Sequence, residues 1–276
     1  MGAINHQLRG HVMATVTVNS AEIYYEDVGQ GFPLLFLHSL AFDGRMWAEL
    51  VAALSKKYRC INMDFRGHGR SSQPDSESTL EQFAEDVYGL MKELGIEQAH
   101  VAGSSLGGMV AMRLALAHPE VVRSLVLLGT SAGPEQAERA HQYEMMARIA
   151  REQGPEAIMQ GVIPVFFSQA FIEGQPEKLE AFKEQFRNLG REAVYWATLA
   201  VTRRCDIREE IRSIRVPTLI IVGEQDLTEP VPEAEAIHRQ IVGSRLETIA
   251  DAGHTTPLEQ PEKVTAAIEE FLSQVK

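Results

Sequence analysis

From residue 15 to residue 28 apolar and polar positions alternate, β-branched and aromatic residues are frequent, and Asn19-Ser20 forms the break. This pattern predicts an antiparallel hairpin that opens a sheet. The pattern then changes. Short apolar runs at 34–37, 60–63, 100–102 and 125–128 are bounded by Gly, Asp or Pro and separated by segments with helical periodicity. Runs of that kind fit strands buried on both faces of a parallel sheet, where neither side meets water. The intervening helices fall at 46–56, at 80–94 and from Ser105 to His118-Pro119, where proline forbids continuation. Strand and helix alternate again at 218–222, 233–241, 246–249 and 261–275. With the hairpin this makes eight strands, and the predicted fold is α/β: a doubly wound, mostly parallel sheet with right-handed crossovers.

Between residues 133 and 212 the strand signal vanishes. Helix formers dominate, with breaks at Gly154-Pro155, Ile163-Pro164 and Gly174 to Pro176. Ordinary crossover helices are the plainer reading, but a crossover needs only about a dozen residues. The excess predicts a helical cap, or lid, at 133–212, inserted into a core made of 14–132 and 213–276. Residues 1–13 are mostly polar and aperiodic, with a second methionine at Met13, and they read as a disordered leader outside the fold.

Composition narrows the function classes. The net charge of −12, with no compensating basic cluster, argues against nucleic-acid and anionic-membrane partners. No apolar run is long enough for a membrane helix, and the start of the chain lacks the order of a signal peptide. Cys60 and Cys205 lie far apart in sequence and read as thiols rather than a disulfide framework, which fits a reducing, cytoplasmic setting. The histidines form no metal-ligand cluster, so neither a metal nor an organic cofactor is expected.

Gly103-Ser104-Ser105-Leu106-Gly107 matches G-x-S-x-G. A bare match is often only a Gly/Ser turn, but this one lies between a predicted strand and a predicted helix. In that setting the sharp turn exposes a strained serine, and the helix N-terminus offers N–H groups where negative charge develops. The nucleophile is therefore Ser105; Ser104 is off the centre of the elbow. A serine hydroxyl needs a base, and the base needs a partner that fixes its tautomer. In such folds the chain order is Ser, acid, His. Asp226 stands in the turn after the strand at 218–222, with Glu224 as its rival, and His254 stands in the loop after the last strand. His68, in a glycine-rich turn, and His38, at a strand end, read as structural or loop-positioning residues. Two N–H donors should hold the oxyanion, those of Leu106 and Leu40.

The segments Phe36-Leu37-His38-Ser39-Leu40, Met46-Trp47, Asp64-Phe65-Arg66-Gly67-His68-Gly69-Arg70-Ser71, Ser104-Ser105-Leu106-Gly107-Gly108-Met109 and Asp251-Ala252-Gly253-His254 together resemble the α/β-hydrolase superfamily. The combination is similar to the branch containing 3-oxoadipate enol-lactonases and related cofactor-free esterases and perhydrolases. His38-Ser39 departs from the His-Gly of many members, and this leans toward the enol-lactonase-like branch. The resemblance implies the fold, the catalytic roles and a small-molecule ester or lactone substrate. It leaves open carbon–carbon bond hydrolysis, perhydrolysis, a slow-turnover ligand receptor and a homodimer, because one fold hosts many functions. An aspartate in place of Ser105 would be needed for haloalkane dehalogenation. Substrate contacts are expected from Phe166, Phe167 and Trp196 in the cap and from Met109 beside the elbow, with Trp196 the leading candidate to face the pocket.

Overall fold

The computed structural model describes residues 10–74 and 76–275. Its eight strands are β1 (His11–Val18), β2 (Ala21–Val28), β3 (Pro33–Leu37), β4 (Arg59–Met63), β5 (Ala99–Ser104), β6 (Val122–Leu128), β7 (Thr218–Gly223) and β8 (Arg245–Ile249). They form one sheet in the order β1-β2-β4-β3-β5-β6-β7-β8. β2 pairs antiparallel with β1 and with β4, and the remaining pairings are parallel. The sequence-based fold class is therefore the observed one.

The hairpin turns at Asn19 and Ser20, both in the left-handed region with φ of 47° and 64°. Two consecutive left-handed residues match the twist of a tight hairpin. The strand begins earlier than the alternation suggested. His11, Val12 and Met13 already pair with Val28, Asp27 and Glu26, so part of the expected leader belongs to the sheet, while residues 1–9 lie outside the described residues. The alternation is weak there because β1 is an edge strand whose first three residues are exposed.

In chain order the helices are α1 (Ala48–Leu54), α2 (Leu80–Glu93), α3 (Leu106–Ala117), α4 (Ala137–Gln153), α5 (Met159–Phe166), α6 (Gln169–Gly174), α7 (Pro176–Arg187), α8 (Arg191–Thr202), α9 (Val231–Gln240), α10 (Thr256–Glu259) and α11 (Pro261–Gln274). The pleat sends alternate strand residues to opposite faces. Leu35, Leu37, Val101 and Ile220 therefore pack with α2, α3 and α9 in one apolar cluster. Leu34, Phe36, Ala102 and Ile221 pack with α1, α11 and residues of α5 to α8 in a second. Each fully buried Leu or Ile side chain stabilises the fold by about 1.5–3 kcal/mol relative to exposure.

Five helices, α4 to α8, stand between β6 and β7. Two of the three expected breaks hold. α4 stops at Gln153 before Gly154, whose φ is 100°, and α6 and α7 are separated at Gln175. At the third site α5 continues through Pro164 and ends two residues later. Near a helix end the proline forfeits one backbone hydrogen bond, and burial of Val162 and Ile163 on the same helix offsets that loss.

Candidate active site

The carboxyl ends of β3, β5, β7 and β8 bring four loops together. Ser105 is the single residue between β5 and α3, and its φ of 52° and ψ of −112° are unfavourable for any side chain but glycine. Neighbours hold it there. The Ser105 N–H donates to the Leu128 carbonyl at 2.8 Å, and the Thr130 hydroxyl donates to the Ser105 carbonyl at 2.8 Å. A β-carbon on Gly103 would strike the Gly107 carbonyl, and one on Gly107 would strike the Leu37 carbonyl. The turn therefore closes only with glycine at both flanks. Ser104, the rival, is fully buried and its hydroxyl is bonded to that of Ser39 at 3.0 Å.

Leu106 opens α3, so its N–H is among the four at a helix start with no intrahelical acceptor. The Leu40 N–H is oriented by His38. The Ser39 carbonyl accepts from His38 Nδ1–H at 2.8 Å and from the Phe42 N–H at 3.1 Å. A trans peptide holds its N–H opposite its carbonyl, so the Leu40 N–H points away from those donors. His38 Nε2 in turn accepts from the Phe65 N–H at 2.9 Å. Both ring nitrogens are thus engaged, and burial pushes the His38 pKa down to about 4. His68, similarly buried, with its ring tilted against that of His38 at 5.0 Å, is pushed down by burial to about 3. Neither histidine is placed to act as a base, in keeping with their reading as structural groups.

His254 Nδ1 lies 2.9 Å from Asp226 Oδ2 and 3.1 Å from Oδ1. The backbone N–H groups of Thr228 and Glu229 donate to Asp226 Oδ1 at 2.8 and 2.9 Å. The carboxylate is therefore fixed from two sides. Burial works to lower the His254 pKa, but the charge and hydrogen bond of Asp226 outweigh it and leave the imidazole above its ordinary 6.5. Glu224 is exposed. It follows β7 directly, so its side chain projects to solvent instead of reaching the histidine. Gly129, with φ of 46°, completes the packing: a β-carbon there would lie 3.0 Å from Asp226 Oδ2 and 3.3 Å from His254 Nδ1.

Ser105 and His254 line one cavity, together with Leu40 and residues of α4, α5 and α8. Its wall is mainly apolar. Of the four expected substrate contacts, Phe166 lines it, and its ring lies 6.0 Å from that of His254. The other three do not. Met109 is fully buried in the core beneath α3. Phe167 packs against Phe171 and Phe182, with ring centroids 4.8 and 4.9 Å away. Trp196 is half-buried beside Tyr195 and lies under the Arg151 guanidinium.

Helical period explains the Trp196 correction. On α8 the cavity is lined by Val194, Thr198, Val201 and Thr202, the i, i+4, i+7, i+8 stripe of one helix face. Trp196 is two residues beyond Val194, which turns it to the opposite side. That stripe was the available signal, and aromatic size distracted from it. Sequence reasoning also missed Tyr143, Glu135 and Glu229 on the cavity wall. Only Glu229 carried a local cue, as a carboxyl group three residues after Asp226.

Comparison with known proteins places the chain in a family. The family model for the alpha/beta hydrolase fold matches residues 33–261. The chain belongs to the α/β-hydrolase family. It is similar to 3-oxoadipate enol-lactonase 2 of Acinetobacter baylyi, 30% identical over 96% of this chain and 98% of that protein. Among solved structures, a thermophilic esterase from Thermogutta terrifontis superposes with a TM-score of 0.91 at 32% identity, covering 96% of this chain and 99% of the other. The enol-lactonase from Burkholderia xenovorans LB400 does so with a TM-score of 0.90 at 31% identity, covering 95% and 100%. No helix among the described residues is long and apolar enough to cross a membrane.

Proposed function

We propose that this chain is a carboxylic ester or lactone hydrolase that works through an acyl-enzyme on Ser105. The observation that carries the reading is the shared cavity of Ser105 and His254, with His254 held by Asp226 at 2.9 Å. His254 takes the Ser105 proton as the hydroxyl oxygen attacks the substrate carbonyl, and the N–H groups of Leu40 and Leu106 receive the oxyanion. The protonated imidazole then gives its proton to the departing alkoxide. Water, deprotonated by His254, releases the acid and restores the serine. Each oxyanion donor contributes about 3 kcal/mol to such a transition state. Kinship to esterases and enol-lactonases supports the substrate class. In this reading 133–212 act as a cap that encloses the substrate, and the protein works in the cytoplasm on small molecules. Both cysteines are free, Cys60 buried and Cys205 exposed, which fits that setting.

The test is covalent trapping with a fluorophosphonate followed by peptide mass spectrometry. The adduct is expected on Ser105, with loss of aryl-ester hydrolysis. Ser105→Ala should abolish labelling and lower turnover by up to about 10⁶-fold. Labelling elsewhere, or an alanine variant with more than about a tenth of the activity, would overturn the reading.

A further inference from the structure

The cavity wall carries one carboxyl group that the proposed mechanism does not use. Glu229 lies in the loop after β7, is 2% exposed, and lines the cavity that holds Ser105 and His254. Its Oε1 is 3.7 Å from the Arg204 guanidinium. Its Oε2 is buried without a hydrogen-bond partner among the described residues. Leaving a buried polar atom unpaired is costly, so such an atom on a residue that lines a cavity points to a ligand group that completes it.

The surroundings leave Glu229 available. Arg204 is satisfied elsewhere, donating to the Gly133 and Val201 carbonyls at 2.8 Å each, to Glu135 at 3.0 Å and to Ser131 at 3.0 Å. Arg139 is held by Glu135 at 2.5 Å and donates to the Thr228 carbonyl at 2.7 Å. The Glu229 loop is thus fixed while its Oε2 stays unpaired. Burial pushes the Glu229 carboxyl up to about 7, opposed by the charges of Arg204, His254 and Arg139 and reinforced by Glu135. Near neutral pH the group is therefore present both as an acid that donates and as a carboxylate that accepts. A hydroxyl is the small substituent that matches both states, because it accepts from the first and donates to the second.

Resting on the hydrolase reading above, we propose that Glu229 is a specificity-determining residue whose Oε2 binds a hydroxyl on the substrate, apart from the bond that is cleaved. The apolar wall then holds the carbon chain and Glu229 marks the position of its polar substituent. Apolar analogues bind less well because they leave Oε2 unpaired, and a site built for a hydroxyl rejects the analogue that lacks it.

The experiment compares kcat/KM for two ester series near neutral pH: ethyl esters of hydroxyalkanoic acids with the hydroxyl at different carbons, and butanoate monoesters of diols. Each ester is paired with the counterpart in which methyl replaces hydroxyl. In the wild type at least one hydroxylated ester is expected to exceed its counterpart by about tenfold or more. Glu229→Met should lose that preference, and Glu229→Gln, whose amide both donates and accepts, should largely keep it. If the methionine variant does not fold, the glutamine variant decides with an ammonium-bearing ester above neutral pH. There the wild-type carboxylate should favour the ammonium ester over the hydroxylated one by about tenfold more than the amide does. No preference in either series, a preference that survives in Glu229→Met, or an ammonium preference as large in Glu229→Gln as in the wild type overturns the proposal. Wild-type enzyme that hydrolyses none of these esters and forms no Ser105 adduct would instead bring down the hydrolase reading, and this proposal with it.

Discussion

His254 Nδ1 lies 2.9 Å from Asp226 Oδ2, and both residues are buried. The carboxylate holds the proton on Nδ1 and leaves Nε2 as the basic nitrogen, which is the tautomer a serine nucleophile needs. Asp226→Asn keeps the shape but presents an amide that favours the opposite tautomer. Turnover of an aryl ester should fall about 10⁴-fold, while Glu224→Gln, at an exposed position, should leave it within about twofold. Steady-state kinetics of both variants test this; a damaging Glu224→Gln would reassign the acid.

The same contact fixes a pH dependence. In the proposed mechanism His254 acts as a base only when neutral, and Asp226 raises its pKa above 6.5 despite the opposing effect of burial. kcat/KM should therefore rise with pH through a midpoint above 6.5 and then level off. The sign for stability is opposite. A histidine with a raised folded pKa contributes most below its unfolded value, and the contribution is lost as pH rises through the folded one. A rate profile with its midpoint below 6.5 would contradict the assignment.

Phe166 and Trp196 should separate cleanly in selectivity. Phe166 lines the cavity and faces the His254 ring at 6.0 Å, so Phe166→Ala should change the kcat/KM ratio of a long-chain to a short-chain aryl ester by about 1–3 kcal/mol. Trp196 lies outside the wall beside Tyr195 and Arg151. Its alanine variant should melt at a lower temperature and keep the wild-type ratio. A ratio altered by Trp196→Ala and not by Phe166→Ala would reverse the roles.

The nucleophile turn has its own signature in stability. A methyl on Gly107 would meet the Leu37 carbonyl and, at 2.9 Å, the His38 carbonyl, so Gly107→Ala should destabilise the protein by about 1–3 kcal/mol. Gly174, at the end of α6, has open space around it, and Gly174→Ala should stay within about 0.5 kcal/mol. Urea denaturation of the two variants makes the comparison. Equal stabilities would mean that the elbow relaxes around the added carbon.

The strand and helix alternation, the elbow at Ser105 and the positions of Asp226 and His254 were legible along the chain because each depends on local rules. Apolar runs end at turns, glycines flank the only residue forced to positive φ at the elbow, and acid and base follow in chain order. The start of β1 was harder to read, since an edge strand needs little apolar alternation to pair with β2. What lines the cavity was not local at all. Trp196 and Val194 differ by two positions on α8, yet the helical turn sends them to opposite sides, and only the packing of α8 against α4 decides which side faces the cavity. Glu229 is the sharper case. In the sequence it is one more acidic residue in a turn, but burial beside an Arg204 already committed to Glu135, Ser131 and two carbonyls leaves its Oε2 unpaired. Chain order determined which groups are present, and tertiary contacts determined which of them remain free to act, because an unpaired buried atom is a property of its surroundings and not of its residue type.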